Sequence, residues 1–331
     1  MRINMPHIEG MNLARLTSVT LASLLSLAAL SGCAATSHPV GPAALGTPSR
    51  ARSLESLIDE PGPVVVDTVV GADWEVPLSG LLNLDAPAAK AAGLVDRAEP
   101  IQIYFHAVRH PTRGTYLVDT GVERAIFEAP TDAAIGDFVA SFMNLERMTR
   151  RTDTATWIAA HRAQGPIAGV FLTHLHLDHV SGMRDVPDAA TVFVGPGEAD
   201  EHAFVNLFTR PTADRALEDK PRLAAWQFAP DPDGRFEGVL DVFGDGTVFA
   251  LHVPGHTAGS TAYVVRTPKG PVLLTGDACH TAWGWEHGVE PGTFSVDRPK
   301  SRESLERLRD LARRHPKLDV RLGHQTLVRA R

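Results

Sequence analysis

The stretch Phe171-Leu172-Thr173-His174-Leu175-His176-Leu177-Asp178-His179-Val180-Ser181-Gly182 constrains this chain more than any other. Four potential metal ligands, His174, His176, Asp178 and His179, fall within six residues. Residues 167–172 are apolar and β-rich and read as a buried strand. The four side chains therefore stand where a central strand ends and the chain turns toward a helix, a place where sites collect in α/β folds. In an extended backbone His174, His176 and Asp178 project to one side, because side chains alternate. His179 breaks that alternation, so it can serve a second ion beside the first. Imidazole suits zinc and related divalent ions, and a carboxylate adds charge neutralisation. Isolated histidines are usually surface groups; three of them with an aspartate in this spacing, straight after an apolar strand, read as a metal site.

This stretch resembles the signature of the metallo-β-lactamase superfamily, in its dinuclear hydrolase branch. The resemblance covers about residues 100 to 326 and implies an α/β fold, the αββα sandwich. It also implies three further ligands downstream: a His, a bridging Asp and a final His. His256 lies in Val253-Pro254-Gly255-His256-Thr257-Ala258-Gly259-Ser260, Asp277 in Leu274-Thr275-Gly276-Asp277-Ala278, and His324 in Leu322-Gly323-His324-Gln325. Each follows a β-like run, and an adjoining Gly allows close backbone approach. By the resemblance, one ion is held by His174, His176 and His256, and a second by Asp178, His179 and His324. Asp277 bridges them with a hydroxide between. Seven ligands are too many for one tetrahedral ion. Two divalent ions, zinc being the expected metal, about 3.5 to 4 Å apart share a water and lower its pKa toward neutrality. The reaction class implied is metal-assisted hydrolysis of an ester-type bond, with no Ser, Cys or Lys nucleophile. Asp119, in Leu117-Val118-Asp119-Thr120-Gly121, is similar to the superfamily's buried supporting Asp and is expected to hold the ligands by hydrogen bonds.

Within the superfamily, quorum-signal lactonases fit best. Thioesterases of the glyoxalase II type carry a helical domain after the last ligand, and here seven residues follow His324. Zinc β-lactamases of the main class use Cys as a ligand and lack the bridging Asp, against which Asp277 argues. The segments Asp277-Ala278-Cys279-His280, Ser304-Leu305-Glu306-Arg307-Leu308 and Gly323-His324 are similar to the lactonases. They depart at one position: the lactonases carry Tyr three residues after the bridging Asp, and this chain has His280. Asp178 and His280 are accordingly the catalytic candidates. His280 is expected to face the centre and, as neutral imidazole, to donate a hydrogen bond to substrate. A non-catalytic metal- or solute-binding lipoprotein, and redox chemistry on iron, are the alternatives from other classes.

The N-terminus reads separately. Residues 13–30 are apolar and small with Arg15 near their start, and they end in Leu30-Ser31-Gly32-Cys33. This resembles a bacterial lipoprotein signal, with Met11 a plausible start and a lipid on Cys33. The apolar run is short for a transmembrane span. Ala34 after the cysteine implies the outer membrane of the envelope. The domain reading is residues 1–32 signal, 33–63 flexible tether (Ala-, Ser-, Pro- and Gly-rich), and 64–331 hydrolase domain. The formal charge of -7 becomes -8 without Arg2, Arg15 and Glu9, which argues against a nucleic-acid partner that needs a basic surface. Acylated Cys33 leaves Cys279 a lone thiol, read as a small buried residue. The partner expected is a small ester or lactone.

Elsewhere, residues 131–163 read as helical, as do 53–59 and 197–208, the last with Phe204 and Leu207 as core. Residues 211–222 read as irregular, and the insertion 195–222 as a candidate lid. Ser301 is a candidate cap for a helix carrying Leu305, Leu308 and Leu311 on one face. His110, His161, His252 and His287 read as structural or solvated. His202, Trp283 and Trp285 are candidates to line a pocket, with packing the simpler account of the tryptophans.

Overall fold

The computed structural model describes residues 34–48, 53–203 and 205–327. Among these residues the strands are β1 (Val40–Pro42), β2 (Thr47–Pro48), β3 (Val65–Pro77), β4 (Ala98–His110), β5 (Gly114–Val118), β6 (Thr149–Arg150), β7 (Ile167–Phe171), β8 (Thr191–Val194), β9 (Leu223–Ala225), β10 (Val239–Asp241), β11 (Val248–His252), β12 (Thr261–Thr267), β13 (Gly270–Leu274) and β14 (Asp319–Arg321). They form an eight-stranded sheet, β1-β9-β8-β7-β5-β4-β3-β6, and a six-stranded sheet, β14-β13-β12-β11-β10-β2.

Alternation along the strands builds three layers of core. Tyr116, Val118 and Phe171 from the first sheet meet Val248, Ala250, Tyr263, Val265 and Leu274 from the second. Their neighbours Leu117, Val170 and Leu172 point the other way, onto Trp157, Val180, Met183 and Leu217. On the far side of the second sheet, Phe249, Leu251, Val264 and Leu273 meet Leu305, Leu308 and Leu311. Strand β12 is buried at every position, as expected of a strand covered on both faces. Helices thus flank two packed sheets, the αββα arrangement. Each of the three helix leucines, fully buried, contributes roughly 1.5–3 kcal/mol, and Leu308→Ala is expected to cost about 2–5 kcal/mol. Among the described residues no helix is long and apolar enough to cross a membrane.

Several expectations are corrected. The segment 33–63 is not a tether where it is described. Strand β1 pairs in parallel with β9, β2 pairs with β10, and Leu54, Leu57 and Ile58 are buried. Small residues suit a linker, but they equally suit a strand whose role is backbone pairing at a sheet edge. The helix expected near residue 53 forms over Leu54–Leu57, with the Ser53 side chain accepting from the Ser56 N–H.

The helical reading of 131–163 breaks into pieces. Asn144 takes a left-handed conformation after the helix Asp137–Phe142, Thr149 and Arg150 pair with β3, and Asp153 caps a new helix, Thr154–Ala160. The helix expected over 197–208 lies later, Asn206–Leu217, and includes Pro211. Its Ala216 and Leu217 join the core, so the stretch is a wall packed against the helix Leu177–Val180, and the lid reading fails. Leu207 is exposed, contrary to its reading as core; Phe204 lies outside the described residues. Asp297, accepting from the Lys300 N–H, caps Arg298–Arg314, with Ser301 inside that helix.

Candidate metal centre

Five strand ends converge on one cluster of side chains. β7 delivers the 172–179 loop, β11 delivers His256, β13 delivers Asp277, β14 delivers His324, and β5 delivers Asp119. The side chains fall into two groups of possible ligand atoms: His174, His176, His256 and Asp277, and Asp178, His179, Asp277 and His324. All seven residues read from the sequence are brought together, and Asp277 belongs to both groups.

The imidazoles are oriented by their outer nitrogens. His179 Nδ1 donates to Asp119 Oδ2 at 2.8 Å, and His324 Nδ1 donates to the Gln102 carbonyl at 3.0 Å. His256 Nδ1 lies 3.2 Å from Ser295 Oγ, and His174 Nδ1 lies 3.1 Å from Thr173 Oγ1. Such outer bonds fix ring and tautomer, leaving Nε2 turned inward with a lone pair. His176 presents Nδ1 instead, 2.9 Å from His256 Nε2, which is itself 3.1 Å from His174 Nε2. Converging nitrogen lone pairs at this spacing need positive charge between them, which a shared cation would supply.

Asp119 takes the supporting place that the resemblance implied. It also accepts the Thr173 backbone N–H at 2.8 Å and the Thr173 hydroxyl at 2.9 Å. Its φ of 58° is left-handed, a conformation disfavoured outside Gly, Asn and Asp. An aspartate tolerates it, and here one carboxylate so placed reaches both a ligand and the ligand loop. Two glycines permit the close packing. A Cβ on Gly323 would stand 2.2 Å from Asp277 Oδ1, and Gly276, at φ +49°, would meet Thr173 Cβ at 2.7 Å.

Burial and mutual charge set the electrostatics. Burial, with the neighbouring imidazoles, holds His174 and His256 well below the ordinary histidine value, and burial pushes His176 down to about 4. Burial also opposes charge on His179 and His324. There Asp277 with Asp119 and Asp178 outweighs it, so His179 rises well above its ordinary value and His324 to about 10. Asp178 and Asp277 are held low despite burial, by His179 and His324 for the first and by His324, His280 and His179 for the second. Two buried carboxylates demand positive charge. His179 Nε2, Asp277 Oδ1 and His280 Nε2 are buried without a hydrogen-bond partner among the described residues. Orphaned inward atoms, a mixed imidazole–carboxylate set and the demand for charge together fit divalent cations.

His280 faces the centre, as expected, with Nε2 3.0 Å from Asp277 Oδ2. The expected donor role is corrected. His280 Nδ1 lies 2.9 Å from the Leu81 carbonyl, which only accepts, so Nδ1 carries the proton. The neutral ring therefore has a lone pair at Nε2, and only the imidazolium donates there.

Glu198 was missed in the sequence. It is buried, and its carboxylate accepts from the Leu175 N–H at 2.7 Å, the Thr257 hydroxyl at 2.7 Å and the Gly259 N–H at 3.0 Å. The other candidates are peripheral. Trp283 stacks on His287 and Trp285 packs against the helix-side core, while His202 is exposed. His110, His161 and His252 bond to Asp245, the Trp157 carbonyl and the Ala258 carbonyl. Cys279 is buried. A cleft of about 830 Å³, lined by Trp74, Ile101, Tyr104, Arg147 and Thr326 among others, reaches His324.

Residues 99–324 match the family model of the metallo-beta-lactamase superfamily. The chain belongs to this superfamily. Among curated members of known name, it is 37% identical over 148 residues to the N-acyl homoserine lactonase AttM of Agrobacterium fabrum, covering 44% of this chain and 54% of that protein. It is 24% identical over 258 residues to the metallo-hydrolase mfmC of Annulohypoxylon moriforme, covering 73% of this chain and 61% of that one. The chain thus spans only about half the length of the lactonase relatives it matches. In structure it is similar to a quorum-quenching N-acyl homoserine lactone lactonase, with TM-score 0.57 and 18% identity over 80% of this chain and 93% of that one. It is also similar to AidC, a dizinc quorum-quenching lactonase, with TM-score 0.52 and 15% identity over 80% and 88%. At such identity these likenesses establish the superfamily fold.

Proposed function

We propose that the protein is a metal-dependent hydrolase that opens an ester or lactone bond in a small molecule. The carrying observation is the pair of overlapping donor groups that share Asp277. His174, His176 and His256 would hold one divalent ion, and Asp178, His179 and His324 the other, with Asp277 between. When bound, such a pair supplies a shared water of near-neutral pKa and polarises the substrate carbonyl. The chain's residues supply the rest. Asp119 and Glu198 hold the ligand loop in register. His280, its Nδ1 proton committed to the Leu81 carbonyl, turns Nε2 toward the centre, where a proton taken up at Nε2 would pass to the departing oxygen. The similarity to N-acyl homoserine lactonases supports a lactone, and the cleft beside His324 offers room for an attached chain.

Hydrolysis of N-acyl homoserine lactones of graded chain length tests this. Simple esters, a β-lactam and a glutathione thioester run beside them, each before and after chelation. Chelator-sensitive opening of lactones or esters is expected. Preferred cleavage of the β-lactam or thioester, or turnover that survives chelation, would sink the proposal. We also propose, from the leader and Cys33, that the mature chain is lipid-anchored in a bacterial envelope membrane.

A further inference from the structure

We infer that the face carrying Phe138, Phe142, Val205, Leu207 and Phe208 rests on the lipid bilayer, so that the domain sits on the membrane in one orientation. This rests on the reading of Cys33 as acylated. Phe138 and Phe142 are 68% and 73% exposed, and Val205, Leu207 and Phe208 are each more than two-fifths exposed. Phe138 and Phe142 are four apart on the helix Asp137–Phe142, hence on one face. The Phe138 ring meets that of Phe208 at 5.9 Å, so the two helices make one apolar surface. Contiguous exposed aromatics of this kind mark interaction sites, and aromatic side chains suit the boundary between lipid and water.

The strap after Cys33 identifies the occupant. Ala35 packs against the core, and Thr36 N–H donates to the Ala199 carbonyl at 3.3 Å. The Ser37 N–H and hydroxyl each donate to Asp214 at 2.7 Å, and the Thr36 hydroxyl donates to the same carboxylate at 2.5 Å. Asp214 lies on the helix Asn206–Leu217 that bears Phe208. Thr36 is three residue steps from Cys33, a reach of roughly 10 Å at full extension. Asp214 is six residue steps along the helix from Phe208, roughly 9 Å. No slack tether intervenes, so lipid on Cys33 holds this edge of the domain at the bilayer, with the aromatic face beside it. The helix Asn206–Leu217 packs against Leu177–Val180 of the ligand loop, so the metal centre is carried close to the membrane as well.

The test uses the full chain, processed in a bacterial host and reconstituted in phosphatidylethanolamine–phosphatidylglycerol vesicles. Intact mass first establishes cleavage before Cys33 and acylation; their absence overturns the anchor reading and this inference with it. Single cysteines replace Phe142, Phe208 or, as a control in the β12–β13 turn, Lys269, and carry an environment-sensitive fluorophore. Cys279 is buried and does not compete. At positions 142 and 208 the emission is expected to shift to the blue and to be quenched by brominated lipid, and at 269 neither. With Phe138→Ser and Phe208→Ser added, the response at 142 is expected to be lost while metal content stays unchanged. With acylation established, an aqueous label at 142 overturns the inference and leaves the anchor standing. Shielding that vanishes as protein is diluted into excess lipid also overturns it, and assigns the face to a second copy of the chain.

Discussion

Glu198 Oε1 accepts the backbone N–H of Leu175, the residue between His174 and His176, at 2.7 Å. Its other oxygen accepts from Thr257 and Gly259, just after His256. One buried carboxyl therefore ties together the two loops that carry His174, His176 and His256, three side chains of one candidate donor group. Partners of this kind set ligand position and contribute to metal affinity without touching the metal.

Glu198→Ala strands the Leu175 and Gly259 N–H groups, while the Thr257 hydroxyl keeps Ser260 Oγ at 2.8 Å. At about 1–3 kcal/mol for each unsatisfied buried group, a loss of at least about 2 kcal/mol is expected. Metal affinity should fall roughly 10- to 100-fold, with Glu198→Gln intermediate because its amide oxygen still accepts. Thermal denaturation and chelator competition measure the two effects. Unchanged melting and unchanged affinity in the Ala variant would show that the carboxyl holds nothing together.

The same residue gives a pH dependence. Burial pushes the Glu198 carboxyl up to about 7 against the pull of its three donors, from an ordinary value of 4.5. The folded chain then binds this proton more tightly than the unfolded chain. Its contribution to stability is fully present below about pH 4.5 and is lost as the pH rises to about 7. In chelated protein the Tm of the wild type is expected to fall, relative to Glu198→Gln, between pH 5 and 7.5. Parallel profiles for the two proteins would contradict this.

The ligands were legible because the chemistry is written locally. His174, His176, Asp178 and His179 share one loop, and His256, Asp277 and His324 each end a β-like run beside Gly. Glu198 was not legible, because it lies 23 and about 60 residues from its partners and burial alone gives it a role. The alternating strands gave away the two-sheet core, and the leucine spacing gave away the helix Arg298–Arg314. Residues 34–48 misled because their pairing at sheet edges uses backbone groups, which leave no hydrophobic pattern. The boundaries in 131–163 depended on Asn144 and on pairing of Thr149 with a distant strand, neither visible in local periodicity.

Asp277 stands at the middle of the centre, its Oδ2 within 3.0–3.7 Å of Nε2 of His174, His179, His256, His280 and His324. Protein purified without chelator is expected to contain about two divalent ions per chain, the number a shared carboxylate implies. Asp277→Asn keeps the shape, removes the charge and should bring occupancy below one. His176→Ala touches one group only and should leave about one ion. Elemental analysis reads both, and an Asn variant that keeps two ions would sink the shared-ligand reading.

Cys279 follows Asp277 by two residues yet is turned away, into the core beneath the helix Arg298–Arg314. Its Sγ–H donates to the Thr281 carbonyl at 3.4 Å, and burial pushes the thiol up to about 12. Reactivity belongs to the thiolate. Folded protein at pH 8 is therefore expected to resist alkylation at Cys279, and urea-unfolded protein to react fully. Rapid labelling of the folded state, followed by mass spectrometry, would place the thiol in reach of solvent and revive a role at the centre.

His280 is the residue on which the proposed chemistry depends most. Its Nδ1 proton is committed to the Leu81 carbonyl, and Nε2 lies beside Asp277 without a hydrogen bond of its own. Opening an ester or lactone leaves an alkoxide that needs a proton, and an imidazolium Nε2–H held there can deliver it. His280→Phe removes that proton and is expected to lower kcat/KM on alkyl esters or lactones by roughly 10- to 1,000-fold. Aryl esters, whose leaving oxygen needs little help, should lose much less. Metal content should be unchanged, since the proposed ligand set is intact. His280→Tyr should recover part of the activity, because a phenol also offers a proton. Three results would each overturn the assignment. Equal losses on alkyl and aryl esters would remove proton delivery. Loss of an ion in the Phe variant would make the ring a ligand. Wild-type turnover at full occupancy would leave His280 with no part in the reaction.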